Sequence, residues 1–536
     1  MAIEDGIELS SGTPEWIEPS FVFKAGADPL GLQTITQDRV IGRLFPGILA
    51  LSERARYFSF YSFLVRRYEE LRRTPTNRAL LNYVRARDFE YALAVRMCPN
   101  HCGSSPVGAT NAGRALSSHP AAYERGESVE SNGGGYGLYY GSPMRMLGLI
   151  APTGTLLGDV PITVDVVRRP GRGLDLADAF WTAIADTRYV TEGYLDNEDP
   201  IPEDVLVEFA SKACLCRLPD FPQERDILRH VLHASDASLD LAEVQPRREG
   251  IALFLERLAE DQHIGESDEA LRRAIWTAFV ETPRIKDSAR SRTLARWAAV
   301  AASHWAQMAL MILWTSAGPA LRNHDRGGGL THEALAELIA DLAAGEVTVG
   351  GTTVAIRGDR LTRDLDGEIR SHFSASALPD LARDLRKAGS PAAGLCQLLL
   401  VRAAMPARDD VEPDWVEFGR IDGEWQPGLL RLIALLDTHL DDNPTVAESV
   451  AWLLNHFVLR AHERIAYSKL PEFTFRFRWE VGRLRFYAHP FGWTDPGHIR
   501  ASTLTSLTRD VGFWEMLDGK RTLTPDGVDL VRQVLG

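Results

Sequence analysis

One local pattern occurs twice in the chain, and it predicts helices joined by short hairpins. Residues 509–514 read RDVGFW, and residues 524–530 read TPDGVDL. Residues 145–150 (RMLGLI) and 170–176 (PGRGLDL) repeat the pattern earlier in the chain. In each copy we expect a helix to end at the central glycine, because a left-handed backbone costs a glycine least. We expect a strand and a polar connecting segment to follow, and then a second helix that begins near the proline and glycine of the second segment.

Outside these two copies the sequence is mainly helical in its periodicity. Tyr57, Phe60, Tyr61 and Leu64 follow i, i+3, i+4, i+7 spacing, with Ser52 as the expected N-cap, and predict one helix with a wide aromatic face. Two alternating segments predict short β-hairpins, at 347–357 and 473–487. Further helices are expected at 76–97, 112–117, 253–259, 268–281, 288–317, 378–404, 429–440 and 445–469.

Composition limits the class of protein. The chain has 536 residues, a net charge of -14 and 25% charged residues, as expected for a multi-domain globular protein. Any binding of nucleic acid must therefore use a local basic patch. Five cysteines and the absence of a signal peptide predict a reducing, cytoplasmic location. Trp297–Leu321 lacks charged side chains, but its alanines and polar interruptions predict a buried helix and no membrane partner.

The second copy of the pattern, at 502–532, resembles the wing and following helix of winged-helix repressors of the multiple-antibiotic-resistance-regulator type. The copy at 145–177 is a looser match. Pro143 falls inside what should be its first helix, and its hairpin at 152–167 is nearly uncharged. The resemblance implies recognition of a duplex or of a protein by the second copy and a structural role for the first.

A second resemblance rests on the segment LFPG at 44–47 and on Arg54-Ala-Arg56-Tyr57-Phe in the aromatic helix. These residues resemble the opening of bacterial proteins from mobile or antiphage-defence gene neighbourhoods, which end in a winged-helix-like tail. The resemblance implies protein partners that are encoded nearby. The plain physical alternative is that the aromatic residues form core and that Arg54 and Arg56 cap a helix or pair with acids.

The C-terminal region is the basic part of the chain. Residues 456–536 contain twelve Lys and Arg against nine Asp and Glu. The alternation in the hairpin at 473–487 predicts an apolar face and a face with four arginines. We therefore predict nucleic-acid contacts, with DNA preferred over RNA, although protein contact through the same unit is an alternative. The expected binding residues are Arg476, Arg478, Arg483, Arg485, Arg500, Arg509, Lys520 and Arg521.

No motif specifies a reaction. Arg225 and His230 fit the Arg-x4-His pattern and so resemble the higher-eukaryote-and-prokaryote nucleotide-binding ribonucleases. However, 53 arginines and 14 histidines make such a pair common by chance. The chain has no phosphate-binding loop, nucleophile elbow or His-Glu-x-x-His motif. An enzyme is therefore not favoured, and we assign no catalytic residue and no cofactor.

The cysteines form two pairs along the chain. Cys98 with Cys102 and Cys214 with Cys216 supply four thiols, which suffice for a zinc site, but their spacing is not that of a standard zinc finger. Buried cysteines also serve as small apolar side chains. The sequence leaves this choice open, and no metal ligand is assigned.

Together these patterns predict a mainly α fold, with a multi-domain helical body, two winged-helix-like α+β units and short β-hairpins. The favoured function is a non-catalytic nucleic-acid-recognition or adaptor subunit of a bacterial antiphage-defence-type system. A metal-independent ribonuclease using Arg225 and His230, and a protein-interaction scaffold, are the alternatives. The expected domains are a helical region at 1–135, a structural winged-helix-like unit at 136–199, a helical body at 200–444 and the C-terminal unit at 445–536.

Overall fold

A computed structural model shows a mainly α protein. Helices account for 61% of it, and β-structure occurs among the described residues only as two-stranded antiparallel pairs. The predicted fold class, a mainly α chain with short hairpins, is therefore confirmed. The structure describes residues 28–157, 159–169, 171–233, 241–285, 288–325, 327–349, 351–406, 412–487 and 489–536.

The described elements follow one another along the chain as helices interrupted by small hairpins. The α-helices are α1 (Ile41–Leu44), α2 (Arg56–Glu70), α3 (Asn77–Arg96), α4 (Ala109–Leu116), α5 (Gly141–Met146), α6 (Arg172–Ile184), α7 (Arg188–Thr191), α8 (Glu203–Ala213), α9 (Pro222–His233), α10 (Leu241–Glu260), α11 (Asp268–Glu281), α12 (Ala289–His324), α13 (His332–Leu342), α14 (Thr362–His372), α15 (Leu378–Ala388), α16 (Pro391–Ala404), α17 (Pro413–Gly419), α18 (Leu429–Asp441), α19 (Val446–Leu453), α20 (Arg460–Ser468), α21 (Ala501–Asp510) and α22 (Pro525–Leu535). The π-helices are Thr34–Val40, Tyr136–Tyr140 and Leu454–Leu459, and the 3-10 helices are Leu215–Asp220 and Ala375–Ala377.

The strands are short and pair in twos. They are β1 (Ala122–Tyr123), β2 (Ile150–Ala151), β3 (Leu156–Leu157), β4 (Val160–Pro161), β5 (Val166–Val167), β6 (Ile201–Pro202), β7 (Gly345–Val349), β8 (Thr352–Ile356), β9 (Phe477–Glu480), β10 (Arg483–Phe486), β11 (Trp514–Leu517) and β12 (Lys520–Leu523). The pairs are β1 with β6, β2 with β5, β3 with β4, β7 with β8, β9 with β10, and β11 with β12. Both predicted hairpins are present, although the second is shorter than the alternation suggested.

The chain forms two compact units, each assembled from stretches that lie far apart in sequence. Unit 1 comprises Met1–Ile41 and Arg272–Ile499, and unit 2 comprises Gly42–Leu271 and Arg500–Gly536. The boundaries predicted from sequence do not coincide with this division. In particular, the segment 445–536 is divided after Ile499. Local patterns cannot reveal such a division, because it depends on which distant helices pack together.

The aromatic helix of unit 2 begins later than predicted. Ser52 is not its N-cap, because the Ser52 hydroxyl donates to the carbonyl of Tyr139 at 2.8 Å and α2 starts at Arg56. The carboxylate of Asp510, at the end of α21, instead accepts a hydrogen bond from the Ala55 amide at 3.0 Å. A carboxylate at a helix N-terminus satisfies a backbone donor and interacts favourably with the helix dipole.

The aromatic face of α2 lies in the core of unit 2, as the physical alternative predicted. Tyr57, Phe60 and Tyr61 are each at most 2% exposed. The Phe60 ring stacks on Tyr91 with centroids 4.2 Å apart, and Tyr57 lies 5.0 Å from Tyr140. Each of these contacts contributes roughly 0.5–1.5 kcal/mol beyond the area it buries.

The two copies of the sequence pattern lie in unit 2 and share one backbone geometry. Gly148 and Gly512 both have a left-handed conformation, with φ of 70° and 79°. The residue after each glycine then starts a hairpin: the Phe513 amide donates to the Thr508 carbonyl at 2.9 Å, and the Leu149 amide donates to the Met144 carbonyl at 2.8 Å. Each helix–glycine–hairpin junction therefore closes with the same hydrogen bond.

The second glycine of each copy allows the following helix to approach the hairpin. A Cβ placed on Gly527 would lie 2.1 Å from the carbonyl oxygen of Phe513, and one on Gly173 would lie 2.1 Å from that of Leu149. Neither distance is compatible with a side chain. The repeated sequence pattern is thus a repeat of backbone packing. This explains why both copies have a glycine at the start of the second helix.

Unit 1 is built around α12, the helix of 36 residues that contains the uncharged segment. Most of α12 is buried, and α16 approaches it at Gly394, where an added Cβ would lie 2.9 Å from the Ala309 carbonyl. Two of its buried polar side chains pair within the helix: the Gln307 amide donates to the Ser303 hydroxyl at 3.1 Å. The prediction of a buried helix is confirmed. Among the described residues, no helix combines the length and apolarity needed to cross a membrane.

Candidate nucleic-acid interface and four-cysteine cluster

The eight predicted binding residues are divided equally between the two units. Arg476, Arg478, Arg483 and Arg485 belong to unit 1, whereas Arg500, Arg509, Lys520 and Arg521 belong to unit 2.

In unit 1, the first two predicted arginines are buried within the hairpin region. Arg476 is 5% exposed and donates to the carbonyl of Thr474 at 2.7 Å, and burial lowers its pKa. Arg478 is 9% exposed and forms an ion pair with Glu480 at 3.1 Å. The alternation predicted these side chains on one open face of a strand, but β9 begins only at Phe477, and both side chains are buried. An open face of four arginines is therefore absent from this hairpin.

The other two arginines of the hairpin are more accessible. Arg483 is exposed and donates to the carbonyl of Gly329 at 3.1 Å. Arg485 is half-buried and lies 3.5 Å from the same Glu480 carboxylate that pairs with Arg478. Of this group, Arg483 is the cation best placed to meet a phosphate.

In unit 2, Arg500 and Arg521 are engaged in structure. Arg500 is 6% exposed, occupies the residue before α21, and has a pKa lowered to about 10 by burial. Arg521 hydrogen-bonds through its guanidinium to the carbonyl of Gln262 and through its backbone amide to that side chain. Arg509 and Lys520 are exposed. The accessible cations of this group are thus one on α21 and one at the hairpin.

A surface pocket of unit 1 was missed by the sequence reasoning. It has a volume of about 440 Å³. We call it the aromatic–arginine pocket; its lining includes Trp425, Arg431, Trp452, His456, Phe457, Arg460 and Arg464, together with Asp422 and Glu424. His456, Arg460 and Arg464 recur at intervals of four residues, a signal that the sequence did carry, because such residues share a helix face.

The cations of the aromatic–arginine pocket differ in their partners. Arg431 forms an ion pair with Asp422 at 3.2 Å. Arg460 and Arg464 are exposed, and neither forms an ion pair with another residue in the described ranges. The Trp452 ring lines the same pocket and stacks on His439, with centroids 4.5 Å apart and planes 4° apart. The pocket thus combines two uncompensated guanidiniums with flat aromatic surface.

The residues of the ribonuclease alternative, Arg225 and His230, lie on α9. The Arg225 guanidinium donates to the Asp510 carbonyl at 3.2 Å, at the end of α21. His230 is exposed, and its Nδ1 hydrogen-bonds to the carbonyl of Asp226 on the same helix at 2.8 Å. Five residues along an α-helix correspond to a rotation of about 140°, so these side chains leave the helix in different directions. The geometry gives Arg225 a capping role at α21.

The two cysteine pairs, by contrast, converge in unit 2. The Sγ atoms of Cys98, Cys102, Cys214 and Cys216 all lie within 4.8 Å of one another. We call this group the four-cysteine cluster. Its shortest separations are 3.6 Å for Cys98–Cys216, 3.7 Å for Cys102–Cys214 and 3.6 Å for Cys214–Cys216.

The thiols of the cluster have different electrostatic surroundings. Burial acts to raise the pKa of Cys102, but hydrogen bonds with Ser104 and the neighbouring thiols hold it at about 7. Burial raises the pKa of Cys216 to about 11 and raises that of Cys214 further. Of these three thiols, Cys102 therefore loses its proton first.

A cavity of about 570 Å³ adjoins the four-cysteine cluster. Cys102 and Cys216 line it together with Arg54, Ser104 and Arg509, among others. Arg54 is held there by a bidentate ion pair with Asp510, at 2.9 and 3.0 Å. The cavity gives the cluster access to solvent from one side.

Comparisons with protein-family models, with curated proteins and with solved structures find no match to this chain.

Proposed function

We propose that the chain is a nucleic-acid-recognition protein, without catalysis of its own, and that a strand of nucleic acid binds along the aromatic–arginine pocket of unit 1. The observation that carries the proposal is the pair Arg460 and Arg464, two exposed guanidiniums that lack acidic partners within the described residues. Guanidinium groups bind phosphates through paired hydrogen bonds, and each contact releases counterions from the nucleic acid.

The aromatic rings beside these arginines favour single-stranded nucleic acid. Trp425 and Trp452, both half-buried, line the pocket and offer flat aromatic surface, whereas Phe457 is buried behind it. A base that stacks on an aromatic side chain gains roughly 1–3 kcal/mol, and the bases of a duplex are not available for such stacking. Arg483, on the hairpin of the same unit, offers a further cation for the phosphate backbone. As predicted from the sequence, we expect this strand to be DNA rather than RNA.

The test is a titration of labelled single-stranded DNA, the matching duplex and single-stranded RNA, followed by fluorescence anisotropy at several salt concentrations. We expect the Arg460→Glu/Arg464→Glu variant to lose at least tenfold in affinity for single strands. The slope of log K against log salt should fall by about 1.4, because each lost contact contributes about 0.7.

The matched control reverses two charges elsewhere on unit 1. Arg383, which is half-buried, and Lys387, which is exposed, lie four residues apart on α15 and pair with Asp380 and Asp384. The Arg383→Glu/Lys387→Glu variant changes the net charge by the same amount and should leave binding unchanged. No detectable binding by the unaltered protein at low salt, or equal losses in both variants, would refute the proposal.

A second candidate function, the adaptor role, has an observation of its own in the C-terminal hairpin of unit 2. Met516 and Leu517 are 48% and 55% exposed at its tip, between the exposed acids Glu515 and Asp518. Exposed apolar side chains framed by acids favour contact with a protein over contact with phosphates. If this holds, Met516→Ser/Leu517→Ser should abolish co-purification with proteins encoded nearby while DNA binding persists.

A further inference from the structure

The four-cysteine cluster has the shape of a single coordination site. A tetrahedral zinc ion with Zn–S bonds of about 2.3 Å holds its sulfur atoms about 3.8 Å apart. The three shortest separations in the cluster are 3.6, 3.7 and 3.6 Å. These separations link all four sulfurs in one chain, from Cys98 through Cys216 and Cys214 to Cys102. One central ion accounts for such a set.

We propose that the four-cysteine cluster binds one Zn²⁺ ion as a tetrathiolate structural site. The site lies outside the aromatic–arginine pocket, belongs to unit 2, and does not depend on the proposed function.

Two other states of the thiols fit the geometry less well. A disulfide joins sulfurs in pairs at about 2.05 Å, but Cys214 is equally close to Cys102 and to Cys216, so no pairing is distinguished. An iron–sulfur cluster would have to fit among sulfurs that all lie within 4.8 Å of one another, and that space takes one ion. Zinc is the expected ion for four thiolates in tetrahedral array.

The backbone presents the first pair of ligands on a tight turn. After α3 ends, the amide of His101 donates to the carbonyl of Cys98 at 2.9 Å. His101 and Gly103 both adopt left-handed conformations, with φ of 46° and 64°. This turn brings the Cys102 thiol back beside that of Cys98, although three residues separate them.

The second pair of ligands is held by a buried arginine. Cys214 ends α8, and Cys216 lies in the following 3-10 helix. The Arg56 side chain, which is fully buried, donates to the Cys214 carbonyl at 2.7 Å and pairs with Glu224 at 3.1 Å. Arg56 therefore fixes the backbone of one ligand.

The ion would act as a cross-link within unit 2. It would tie the end of α3 to the end of α8 and so close the loop from Cys98 to Cys214. Four protein ligands leave no open position for substrate, which is the arrangement of structural rather than catalytic zinc. The adjoining cavity of about 570 Å³ reaches Cys102 and Cys216 and gives the ion a path to the cluster.

The first experiment measures metal in the full-length protein, purified without chelator, by inductively coupled plasma mass spectrometry. We expect one zinc per chain. Cys102→Ser and Cys216→Ser should each lose it, whereas Cys396→Ser should retain it, because Cys396 is a buried cysteine of α16 in unit 1. Zinc below a tenth of an equivalent in the unaltered protein, or full zinc in the Cys102 and Cys216 variants, would overturn the proposal.

A second measurement does not depend on whether the variants fold. X-ray absorption at the zinc edge of the unaltered protein should show four sulfur neighbours at about 2.3 Å. Oxygen or nitrogen neighbours in place of two or more sulfurs would overturn the tetrathiolate assignment. Iron in place of zinc would overturn the choice of metal, and a mass deficit of two hydrogens per cysteine pair would show disulfides instead.

Discussion

Substitution of Gly527 tests the packing that underlies the repeated sequence pattern. In Gly527→Ala, the new Cβ would lie 2.1 Å from the Phe513 carbonyl oxygen, whereas side-chain carbons keep at least 3.0 Å from such atoms. Helix α22 and the hairpin must therefore separate by nearly 1 Å. The same carbonyl accepts the Thr524 amide at 3.0 Å, so this movement also weakens that hydrogen bond.

The expected cost follows from these two effects. Overpacking of a close contact costs about 1–3 kcal/mol, and a buried group left without its hydrogen bond costs about 1–3 kcal/mol. Alanine recovers about 1 kcal/mol through its higher helix propensity. We expect a net loss of about 1–5 kcal/mol, which lowers the melting temperature of a unit of this size by on the order of 5–10 °C.

The assay is thermal unfolding by calorimetry, with hydrogen exchange over residues 501–535 to locate the change. Gly173→Ala should behave alike, because its Cβ meets the Leu149 carbonyl at the same distance. Gly367→Ala is the control: no atom lies within 4 Å of its Cβ in helix α14, and we expect a gain of about 0.5–1 kcal/mol. A melting temperature for Gly527→Ala equal to or above that of the unaltered protein would refute the packing argument.

Three further predictions concern buried charged and titratable groups. Arg56→Ala should destabilise unit 2 by about 3–5 kcal/mol, because it leaves the carboxylate of Glu224 buried without its partner. In denaturant unfolding, the double variant with Glu224→Gln should recover part of that loss. The absence of any recovery would contradict the pairing of Arg56 with Glu224. Burial raises the pKa of Asp88 to about 6, so this carboxyl should cost about 3 kcal/mol of stability as pH rises from about 4 to 6. The difference in stability between Asp88→Asn and the unaltered protein should change over that window, and a constant difference would count against a raised pKa. Burial lowers the pKa of His462 to about 3, although the hydrogen bond from its Nδ1–H to the Pro29 carbonyl acts to raise it. Its Nε2 accepts the Arg476 amide, which requires the neutral ring. The contribution of the neutral His462 ring to the free energy of unfolding is complete above the unfolded pKa of about 6.5. As pH falls below that value, the protein should lose up to about 1.4 kcal/mol of stability per pH unit. The His462→Gln variant should lack this dependence of stability on pH.

Several elements could be predicted from local sequence because their causes are local. Thr76 predicts the start of α3, and in the structure its hydroxyl accepts the Ala79 amide. The Gly-centred pattern predicts a helix, a hairpin and a helix in each copy, since a left-handed glycine and a Thr-Pro start act within a few residues. The apolar length of α12 likewise predicts a buried helix.

The candidate sites depended on contacts that local patterns do not encode. Alternation predicts that Arg476 and Arg478 share one face of a strand, but β9 begins only at Phe477, and whether a side chain meets solvent depends on the helices packed around it. The start of α2 was mispredicted for the same reason, because its capping carboxylate, Asp510, comes from a helix more than 450 residues away.

The sequence by itself determined that this is a mainly α protein with a repeated helix–glycine–hairpin–helix motif, because helix periodicity, capping and glycine conformation are short-range effects. Only the tertiary structure decided how the chain is divided into units, which arginines remain exposed, and that the two cysteine pairs meet. More than 100 residues separate Cys102 from Cys214, and their thiols come within 3.7 Å only because α3 and α8 pack together. Spacing along the chain cannot report a distance that packing alone creates.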